Sequence, residues 1–374
     1  MKRILITATD LMMIQFLVPH VHHLVQSGYA VDVACSPVGE RMGDVRRELE
    51  GTVENIHSLR LERSPFSRRN LLGYRDLRRI LRENHYDLIW TNEPVMGVMT
   101  RLAARDSRRR GTKVVYMCHG FHFFRGASPW NWALFYPVER IMSRFCDAIV
   151  TVNREDHARA VGFGTCPVYP VPGVGVDTRR FSTGGYPQFR LAKRRQLGIP
   201  EDAWVVLTVG ELTKRKNQKV LLKAVSSLEK DVHLVLCGRG SRLPALERLA
   251  GKWGIRERVH FLGYRLDIPE IYRMADCFAF PSLQEGLPFA LMEAMQSGLP
   301  IAASRIRGNV DLLEEGAGGI LCNPRRPGEF AVALERLRRM DTDAMVRRNR
   351  EKLKEFDLEH TKPLVLRILE EVLK

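Results

Sequence analysis

Short apolar runs and helix-length stretches alternate along almost the whole chain, and this alternation constrains the fold more than any other feature of the sequence. An apolar run followed by an amphipathic stretch is typical of a strand covered by the next helix, and repetition of that unit builds a parallel sheet. Helices are expected over Gln15–Ser27, which ends at Gly28, and over Val98–Ser107. The first half predicts six strands: Arg3–Thr7, Ala30–Ala34, Leu88–Trp90, Lys113–Cys118, Ala148–Val152 and Val168–Val171.

A second series of alternating segments follows a break rich in Gly and Pro. The break covers residues 171–187, and we expect an interdomain hinge there. Two Rossmann-like domains are therefore predicted, one over residues 1–175 and one over residues 190–355. The second series predicts strands at Trp204–Val209, His233–Cys237, Val259–Phe261, Cys277–Phe280, Ile301–Ser304 and Gly319–Leu321.

Composition describes a globular chain, since 374 residues with 45% hydrophobic and 27% charged side chains are enough for two cores. No apolar run approaches the ~20 residues that a membrane helix needs. The first residues read as a buried strand and not as a signal peptide, so a cytoplasmic protein is expected. Seven cysteines without a Cys-x-x-Cys pair indicate neither a metal site nor disulfides.

The formal charge of +16 predicts an anionic partner. No zinc finger, aromatic RNA-binding strand or helix-turn-helix pattern accompanies it, so nucleic acid is not expected. An anionic membrane surface is favoured, because Trp130, Trp132, Phe135 and Tyr136 follow the basic region. Such an aromatic run fits an interface or a buried core equally well. The basic residues are Arg68, Arg69, Arg75, Arg78, Arg79, Arg82, Arg105, Arg108, Arg109, Arg110 and Lys113.

The segment Phe280–Gly298 places two glutamates around the start of a predicted helix. Glu285 lies just outside the helix N-terminus, and Glu293 lies about two turns into the helix. Helix N-termini attract phosphate, whereas a carboxylate beside phosphate is suited to accept hydroxyls. A nucleotide sugar carries both groups, so the pair indicates a nucleotide-sugar site. As a loop carboxylate, Glu285 is expected to contribute little to the core.

With its Glu-Gly-Leu-Pro and Glu-Ala-Met neighbours, this segment resembles the Glu-x7-Glu signature of the family 4 glycosyltransferases, which are retaining enzymes of the GT-B fold. The resemblance implies that Glu285 contacts the transferred sugar, with Gly286 and Leu287 beside it, and that Glu293 holds the ribose hydroxyls. It also implies two Rossmann-like domains facing a cleft. The last helix, within about residues 356–374 and centred on Leu364–Leu373, is expected to return to the N-terminal domain.

A basic loop follows the first predicted strand of the second half. The segment Val209–Gln218 closes a strand and opens a helix, which is where such loops meet ligands. In family 4 the corresponding loop carries an Arg and a Lys that neutralise the diphosphate leaving group. The resemblance implies that role for Lys216. Glu211 replaces the Arg, so Lys214 or Arg215 is expected to supply the second charge.

Two histidines, His119 and His122, follow the predicted strand Lys113–Cys118. They stand at the carboxyl end of a strand, where open α/β sheets bind ligands. The His-Gly pair resembles one in family 4, which implies that His119 touches the transferred sugar or the donor phosphate, and His122 is a second candidate. The Gly-Gly loop that the family often carries after its first strand is replaced here by Thr7–Met13.

Three further segments resemble cleft-facing parts of the family. Gly238 begins a two-glycine turn after a strand and is expected near the nucleotide. Backbone groups around Tyr264 and Arg265 are expected to meet uracil or guanine, and Arg307 is a candidate ligand contact.

The letters Asp341-Thr-Asp343 match the metal-binding motif of the other major glycosyltransferase fold, but they lie between two Arg-rich helices, where Asp caps a helix start. We therefore expect no essential metal and no cofactor.

The resulting hypothesis is a retaining GT-B glycosyltransferase. It would move a hexose or N-acetylhexosamine from a nucleotide donor, most simply a UDP-sugar, to a lipid-linked or oligosaccharide hydroxyl. The segment around Trp130 resembles the branch of family 4 that builds exopolysaccharide or capsule repeats on a polyprenyl-diphosphate carrier, which implies work at the inner face of a membrane. Two alternatives remain open at this point: a GT-B sugar-nucleotide epimerase or phosphorylase, and a non-catalytic basic binding module.

Overall fold

The computed structural model describes residues 1–38, 42–181 and 187–374. Contacts within the chain divide it into two compact units. Unit 1 contains Met1–Gly175 together with Leu358–Lys374, and unit 2 contains Val176–Asp357. Residues 182–186, which form most of the predicted hinge segment Ser182–Pro187, lie outside the described residues.

Unit 1 is built on a seven-stranded parallel sheet with the order β3-β2-β1-β4-β5-β6-β7. The strands are β1 (Arg3–Asp10), β2 (Ala30–Ser36), β3 (Asn55–Ser58), β4 (Leu88–Asn92), β5 (Lys113–Cys118), β6 (Ala148–Thr151) and β7 (Val168–Pro170). The helices between them are α1 (Leu11–Gln26), α2 (Met42–Leu49), α3 (Arg69–Glu83), α4 (Pro94–Ala103), α5 (Arg105–Arg109), α6 (Pro129–Met142) and α7 (Arg154–Val161), with a 3-10 turn at Ser143–Phe145. The chain order reverses between β1 and β4, which defines the switch point of this sheet.

Unit 2 has a six-stranded parallel sheet with the order β10-β9-β8-β11-β12-β13. Its strands are β8 (Trp204–Val209), β9 (Val232–Cys237), β10 (Val259–Gly263), β11 (Cys277–Phe280), β12 (Ile301–Ser304) and β13 (Ile320–Cys322). Its helices are α8 (Pro187–Gln196), α9 (Lys219–Val225), α10 (Leu243–Lys252), α11 (Ile268–Met274), α12 (Phe289–Gln296), α13 (Asn309–Leu312), α14 (Pro327–Arg339) and α15 (Asp343–Leu353). Short 3-10 turns cover Arg179–Phe181, Arg256–Arg258 and Lys354–Phe356. Buried apolar side chains cover both faces of the sheet, as expected for parallel strands between helix layers.

The last helix, α16 (Leu358–Val372), belongs to unit 1. Glu370 and Glu371 on this helix lie 3.3 Å and 2.7 Å from the hydroxyls of Tyr29 and Tyr169. Gly175 approaches the same helix so closely that a Cβ there would lie 2.2 Å from Thr361 Oγ1, and its φ of +80° also favours glycine. The prediction of two Rossmann-like domains, with a C-terminal helix that returns to the N-terminal one, is confirmed.

The twelve predicted strands are all present, but β3 was not predicted, because three of its four residues are polar and all four are partly or fully exposed. Helix α1 begins four residues before the predicted start, because the Asp10 side chain caps it by accepting from the Met13 amide at 3.2 Å. The predicted helix Val98–Ser107 is wrong as one element, since the structure has α4 and α5 there. Among the described residues no helix is long and apolar enough to cross a bilayer.

Candidate active site

The predicted donor-site residues lie in loops that follow the carboxyl ends of neighbouring strands in unit 2. The loops after β8 and β11 flank the switch point of the sheet, because β8 and β11 are adjacent while the chain order reverses there. Two hydrogen bonds join these loops: Leu283 N donates to Arg215 O at 2.8 Å, and Asn217 Nδ2 donates to Pro281 O at 3.0 Å. This is the position where open α/β sheets bind ligands.

Glu285 lies at the centre of a charged cluster at this switch point. Its Oε1 is 2.8 Å from Lys216 Nζ, and its Oε2 is 3.1 Å from Arg215 Nη1. The residue is only 7% exposed, although it lies on a loop, and its small contribution to the core stays a prediction. Burial raises the pKa of Glu285, but Lys216 and Arg215 together outweigh that effect and the net pKa is lowered. The carboxylate is therefore ionised at neutral pH.

Lys216 is held in place from several sides. Its Nζ lies 4.8 Å from the centre of the Phe280 ring, and its side chain is 13% exposed. The lysine stem passes next to Gly210, since a Cβ at position 210 would lie in van der Waals contact with Lys216 Cε, at 3.4 Å. A lysine ammonium has three donor hydrogens, and the pair with Glu285 uses only one of them.

The second cation beside Glu285 is Arg215. Its Nη1 also donates to Gln284 O at 3.0 Å. Lys214 and Glu211 are exposed, so of the two predicted replacements for the missing Arg only Arg215 contacts the cluster. Asn217, which sequence reasoning did not single out, has a φ of +59° and also donates to Pro324 O at 2.7 Å. A non-glycine residue in the left-handed region, whose side-chain nitrogen donates to two backbone carbonyls, fixes the loop that carries both cations.

Glu293 lies on α12, and its Oε2 is 3.0 Å from the hydroxyl of Tyr272. Tyr272 is completely buried and packs edge-on against Phe181. Burial raises the pKa of Glu293, and the hydrogen bond from Tyr272 opposes that rise without cancelling it. The sequence did not indicate Tyr272 as part of the site. It is a positioning residue that holds the carboxylate at a defined place on the helix.

The loop after β12 supports the loop that carries Glu285. Arg307 is 6% exposed, and its Nε donates to the Glu285 carbonyl at 3.1 Å. Gly308 packs against Gly286, since a Cβ at Gly308 would lie 2.4 Å from Gly286 O. Leu287 is partly buried against the core. Arg307 thus holds backbone of the Glu285 loop, whereas its predicted ligand contact stays a prediction.

Gly238 allows three strand ends to meet. Its amide donates to Gly263 O at 2.8 Å, and a Cβ on it would lie 2.1 Å from Gly210 O. Tyr264 is 38% exposed, with the Arg239 guanidinium 6.0 Å from its ring centre. Arg265 makes two hydrogen bonds to Asp267, of 2.7 Å and 2.6 Å, so its guanidinium is engaged within unit 2.

In unit 1, His119 follows β5 and its Nε2 lies 2.9 Å from Asn92 Oδ1, just after the last residues of β4. Asn92 is fully buried, and its Nδ2 faces the carbonyl of Thr7 at 3.3 Å. The amide oxygen must therefore face the histidine, which makes Nε2 the protonated nitrogen of a neutral ring and leaves Nδ1 as an acceptor. Burial, with a smaller effect of His20, lowers the pKa of His119 to about 4.

His122 lies three residues further on, and its ring centre is 4.7 Å from that of Phe135. Its carbonyl accepts from Asn131 Nδ2 at 3.1 Å. The aromatic segment of α6 divides into two groups: Trp132 and Tyr136 pack against Phe123 and the core, whereas Trp130 is exposed. The core interpretation is therefore correct for Trp132 and Tyr136, whereas an interfacial role for Trp130 stays a prediction.

The turn between β1 and α1, where the family often has glycines, is acidic in this chain. Asp10 accepts from Arg63 Nε at 2.5 Å while it caps α1. Glu93, at the end of β4, has a φ of +66°, and its Oε2 accepts from the Thr9 amide at 2.9 Å. Two carboxylates thus occupy the amides of this turn, which agrees with the sequence expectation that the turn does not bind phosphate through a Gly-Gly loop.

Among the described residues no group of three or more His, Cys, Asp or Glu could hold a metal ion. Asp341 Oδ1 accepts from the Asp343 amide at 2.9 Å, and both side chains are exposed at the start of α15. The seven cysteines are free thiols.

Comparison with known proteins identifies the family of this chain. The family model described as Glycosyltransferase Family 4 matches residues 17–180, and the one described as Glycosyl transferases group 1 matches residues 189–355. A relative with 35% identity is EpsD of Bacillus subtilis (strain 168), named as a glycosyltransferase; the match covers 90% of this chain and 87% of that protein.

A further relative and a solved structure are also similar to this chain. The UDP-Gal:alpha-D-GlcNAc-diphosphoundecaprenol alpha-1,3-galactosyltransferase of Escherichia coli is 28% identical over 70% of this chain and 68% of its own. The crystal structure of Anabaena Alr3699/HepE in complex with UDP and glucose superimposes with a TM-score of 0.82 at 20% identity, covering 99% of this chain and 100% of that one.

The fold and the matches together define a GT-B glycosyltransferase. The chain belongs to the family 4 glycosyltransferases, and its activity is that of a hexosyltransferase. This result removes the support for a non-catalytic binding module and favours transfer over epimerisation or phosphorolysis.

Proposed function

We propose that this enzyme transfers a hexose or N-acetylhexosamine, with retention of configuration, from a UDP-sugar to a polyprenyl-diphosphate-linked glycan during synthesis of a surface polysaccharide such as exopolysaccharide or capsule. The observation that carries the proposal is the buried carboxylate of Glu285, paired with Lys216 and with the partly exposed Arg215 at the switch point of unit 2. It combines an ionised hydroxyl acceptor with two cations suited to phosphate.

The donor assignment rests on the chemistry of unit 2. Lys216 neutralises the diphosphate as the bond to the sugar breaks, and Arg215 assists it, because fixed cations in a poorly solvated site stabilise developing negative charge. Glu285 accepts from hydroxyls of the transferred sugar. Glu293, held by Tyr272, accepts from the ribose hydroxyls. The UDP complex of the HepE structure and the UDP-Gal donor in the name of the E. coli relative favour UDP over other nucleotides.

In unit 1, His119 contributes a neutral imidazole. With Nε2 fixed by Asn92, its Nδ1 accepts a hydrogen bond from a hydroxyl of the reacting sugar or of the acceptor. A ring with a pKa of about 4 keeps this acceptor over the whole neutral range.

The acceptor assignment rests on relatives and on surface chemistry. The E. coli relative is named for a diphosphoundecaprenol-linked acceptor. In this chain, exposed Trp130 and the basic residues of α3 and α5 lie in unit 1 and favour contact with an anionic membrane surface. We therefore place the enzyme as a peripheral protein at the inner face of the membrane.

A thermal-shift panel with UDP, GDP, ADP and UDP-sugars tests the donor. A ligand at 100 times its Kd stabilises the native state by about 2.7 kcal/mol, so UDP and one UDP-sugar should raise the Tm while GDP and ADP should not. At the same ligand concentration Lys216→Met should reduce the stabilisation to about 1.4 kcal/mol or less, and Lys219→Met, which neutralises an exposed lysine at the start of α9, should not change it. A shift with GDP alone, or one that is equal in both variants, would contradict the assignment.

A further inference from the structure

Helix α6 of unit 1 carries an exposed apolar stripe. Trp130, Leu134, Val138 and Ile141 are 82%, 45%, 38% and 53% exposed, and their spacing places them on one side of the helix. The stripe extends over about 16 Å of helix axis. Large apolar side chains that are grouped in this way on a surface mark an interaction site more often than scattered ones do.

The opposite side of α6 is firmly attached to unit 1. Glu139 is buried and accepts from Arg101 Nη2 at 2.8 Å and from the Tyr116 hydroxyl at 3.1 Å. The Arg101 guanidinium lies 4.0 Å from the centre of the Tyr116 ring. Because this ion pair fixes the helix, the stripe is a rigid outer surface of the unit and not the inner face of a displaced segment.

A basic pocket of about 450 Å³ begins where α6 ends. It lies at the amino edge of the sheet, since Lys113 starts β5 and Asp147 precedes β6, and it is therefore at the opposite edge from His119. Five cationic side chains and one carboxylate line the pocket, together with small and apolar groups. The charged lining residues are Arg105, Arg108, Arg109, Lys113, Arg144 and Asp147.

The single carboxylate in the pocket pairs with one of the five cations, and Asp106 lies 3.7 Å from a second, Arg109, so Arg105, Lys113 and Arg144 carry the excess charge. Asp147 binds Arg108 through two hydrogen bonds, of 3.1 Å and 3.0 Å, and also accepts from the Val114 amide at 2.7 Å. The Arg105 guanidinium lies 5.2 Å from the centre of the Phe145 ring. Two arginines are thus positioned in advance, and the pocket keeps a large excess of positive charge.

We propose that the α6 stripe and this pocket form one docking surface for an anionic phospholipid bilayer, with the phosphate of a lipid headgroup in the pocket. Trp130 and the aliphatic side chains enter the interfacial layer, and the arginines bind phosphate oxygens. The bilayer accounts for both features at once. Free phosphate would leave the stripe uncovered, and a nucleic acid would fill the pocket but has no apolar surface to match the stripe.

The inference deepens the membrane contact of the proposed function and rests on it, but it concerns an edge of unit 1 that is remote from His119. It assigns the contact to α5, α6 and the turn after α6. The arginines at and before the start of α3, such as Arg68 and Arg69, add to the positive charge of unit 1 that favours an anionic membrane, but they do not line this docking surface.

Vesicle co-sedimentation with the full chain tests the surface. Phosphatidylglycerol-containing vesicles at low salt should bind the protein, and pure phosphatidylcholine vesicles should bind it much less. Arg105→Gln with Arg144→Gln should weaken partitioning by roughly 30-fold, because each basic side chain near an anionic surface contributes about a factor of five. Leu134→Gln with Ile141→Gln should also weaken it. The matched controls, Arg336→Gln with Arg347→Gln and Val332→Gln, change exposed residues of unit 2 and should bind as the parent does.

Several results would overturn the inference. These are no binding of the parent to anionic vesicles, equal loss in the controls, pocket-dependent stabilisation by inorganic phosphate without vesicle binding, or pocket-dependent binding of duplex DNA. Sugar transfer to a short water-soluble acceptor separates this inference from the proposed function. Transfer without vesicle binding would refute only the docking surface, and vesicle binding without transfer from any UDP-sugar would refute only the proposed function.

Discussion

Replacing Lys216 with Met removes one charge from the cluster and keeps most of the side-chain volume. Glu285, 7% exposed, would then retain only Arg215 as an ionic partner. Removing one partner of a buried pair costs about 3–5 kcal/mol when the other charge is left alone, so the remaining arginine should limit the loss of stability to about 1–3 kcal/mol. Chemical denaturation measures that loss.

The same substitution should also weaken binding of UDP. A charge-assisted hydrogen bond is worth about 1.5–3 kcal/mol, which corresponds to a roughly 10-fold to 150-fold higher Kd for UDP. Calorimetric titration with UDP gives this Kd directly. The rate should fall further than affinity, because the diphosphate gains charge as the sugar leaves.

The double variant Lys216→Met with Glu285→Gln separates the two effects. It removes both charges, so the free energy of unfolding should recover towards that of the parent while UDP binding stays weak. Unchanged UDP affinity in Lys216→Met would refute the assignment of the phosphate contact to this lysine. Recovery of UDP binding in the double variant would show that the loss came from disordering of the Glu285 loop.

Three other predictions concern protonation and metal. Tyr272→Phe removes a hydrogen bond that lowers the pKa of Glu293, and the pKa of Glu293 should therefore rise further. As a result, UDP should bind this variant more weakly at pH 6 than at pH 8. An unchanged pH dependence of the Kd would argue against Glu293 as the ribose contact. Burial lowers the pKa values of His20 and His119 from 6.5 to about 4, so both stabilise the fold fully above pH 6.5 and lose about 3 kcal/mol each as the pH falls towards 4. Denaturation at pH 7 and pH 4.5 measures this loss. The substitution Asn92→Asp puts a carboxylate against His119, so it should raise the pKa of His119 and give the pH profile of kcat a new limb. An unaltered profile would place the histidine outside the reaction. Activity should survive EDTA, and restoration of lost activity by Mn²⁺ would contradict this expectation.

The sequence was sufficient to predict the alternation of strands and helices, because buried parallel strands are continuous apolar runs. β11 (Cys277–Phe280) and β8 (Trp204–Val209) have the predicted bounds for this reason. β3 (Asn55–Ser58) was not predicted because it is an edge strand that is half exposed and mostly polar, and it therefore lacks a continuous apolar run. The start of α1 depended on whether Asp10 caps a helix, which composition alone does not decide.

For the site, the sequence indicated the residue types and the motif but not the contacts among them. Glu285 and Lys216 are 69 residues apart in the numbering, and their 2.8 Å pair arises because β8 and β11 are neighbours in the sheet. The same long-range packing brings Tyr272 to Glu293 and Asn92 to His119. None of these partners belongs to a local pattern, so their positions emerge only when the strands are ordered.

The proposed mechanism depends on the participation of Glu285 in transfer from a UDP-sugar. The direct measurement is transfer of radiolabelled sugar to a prenyl-diphosphate-linked acceptor by the parent and by Glu285→Gln, an isosteric change chosen because the carboxylate is buried between two cations. We expect a product whose anomeric proton coupling shows retention with the parent, and no detectable product with a Glu285→Gln protein that is shown by denaturation to be folded. Near-parental turnover by that folded variant, or a product with inverted configuration from the parent, would contradict the account.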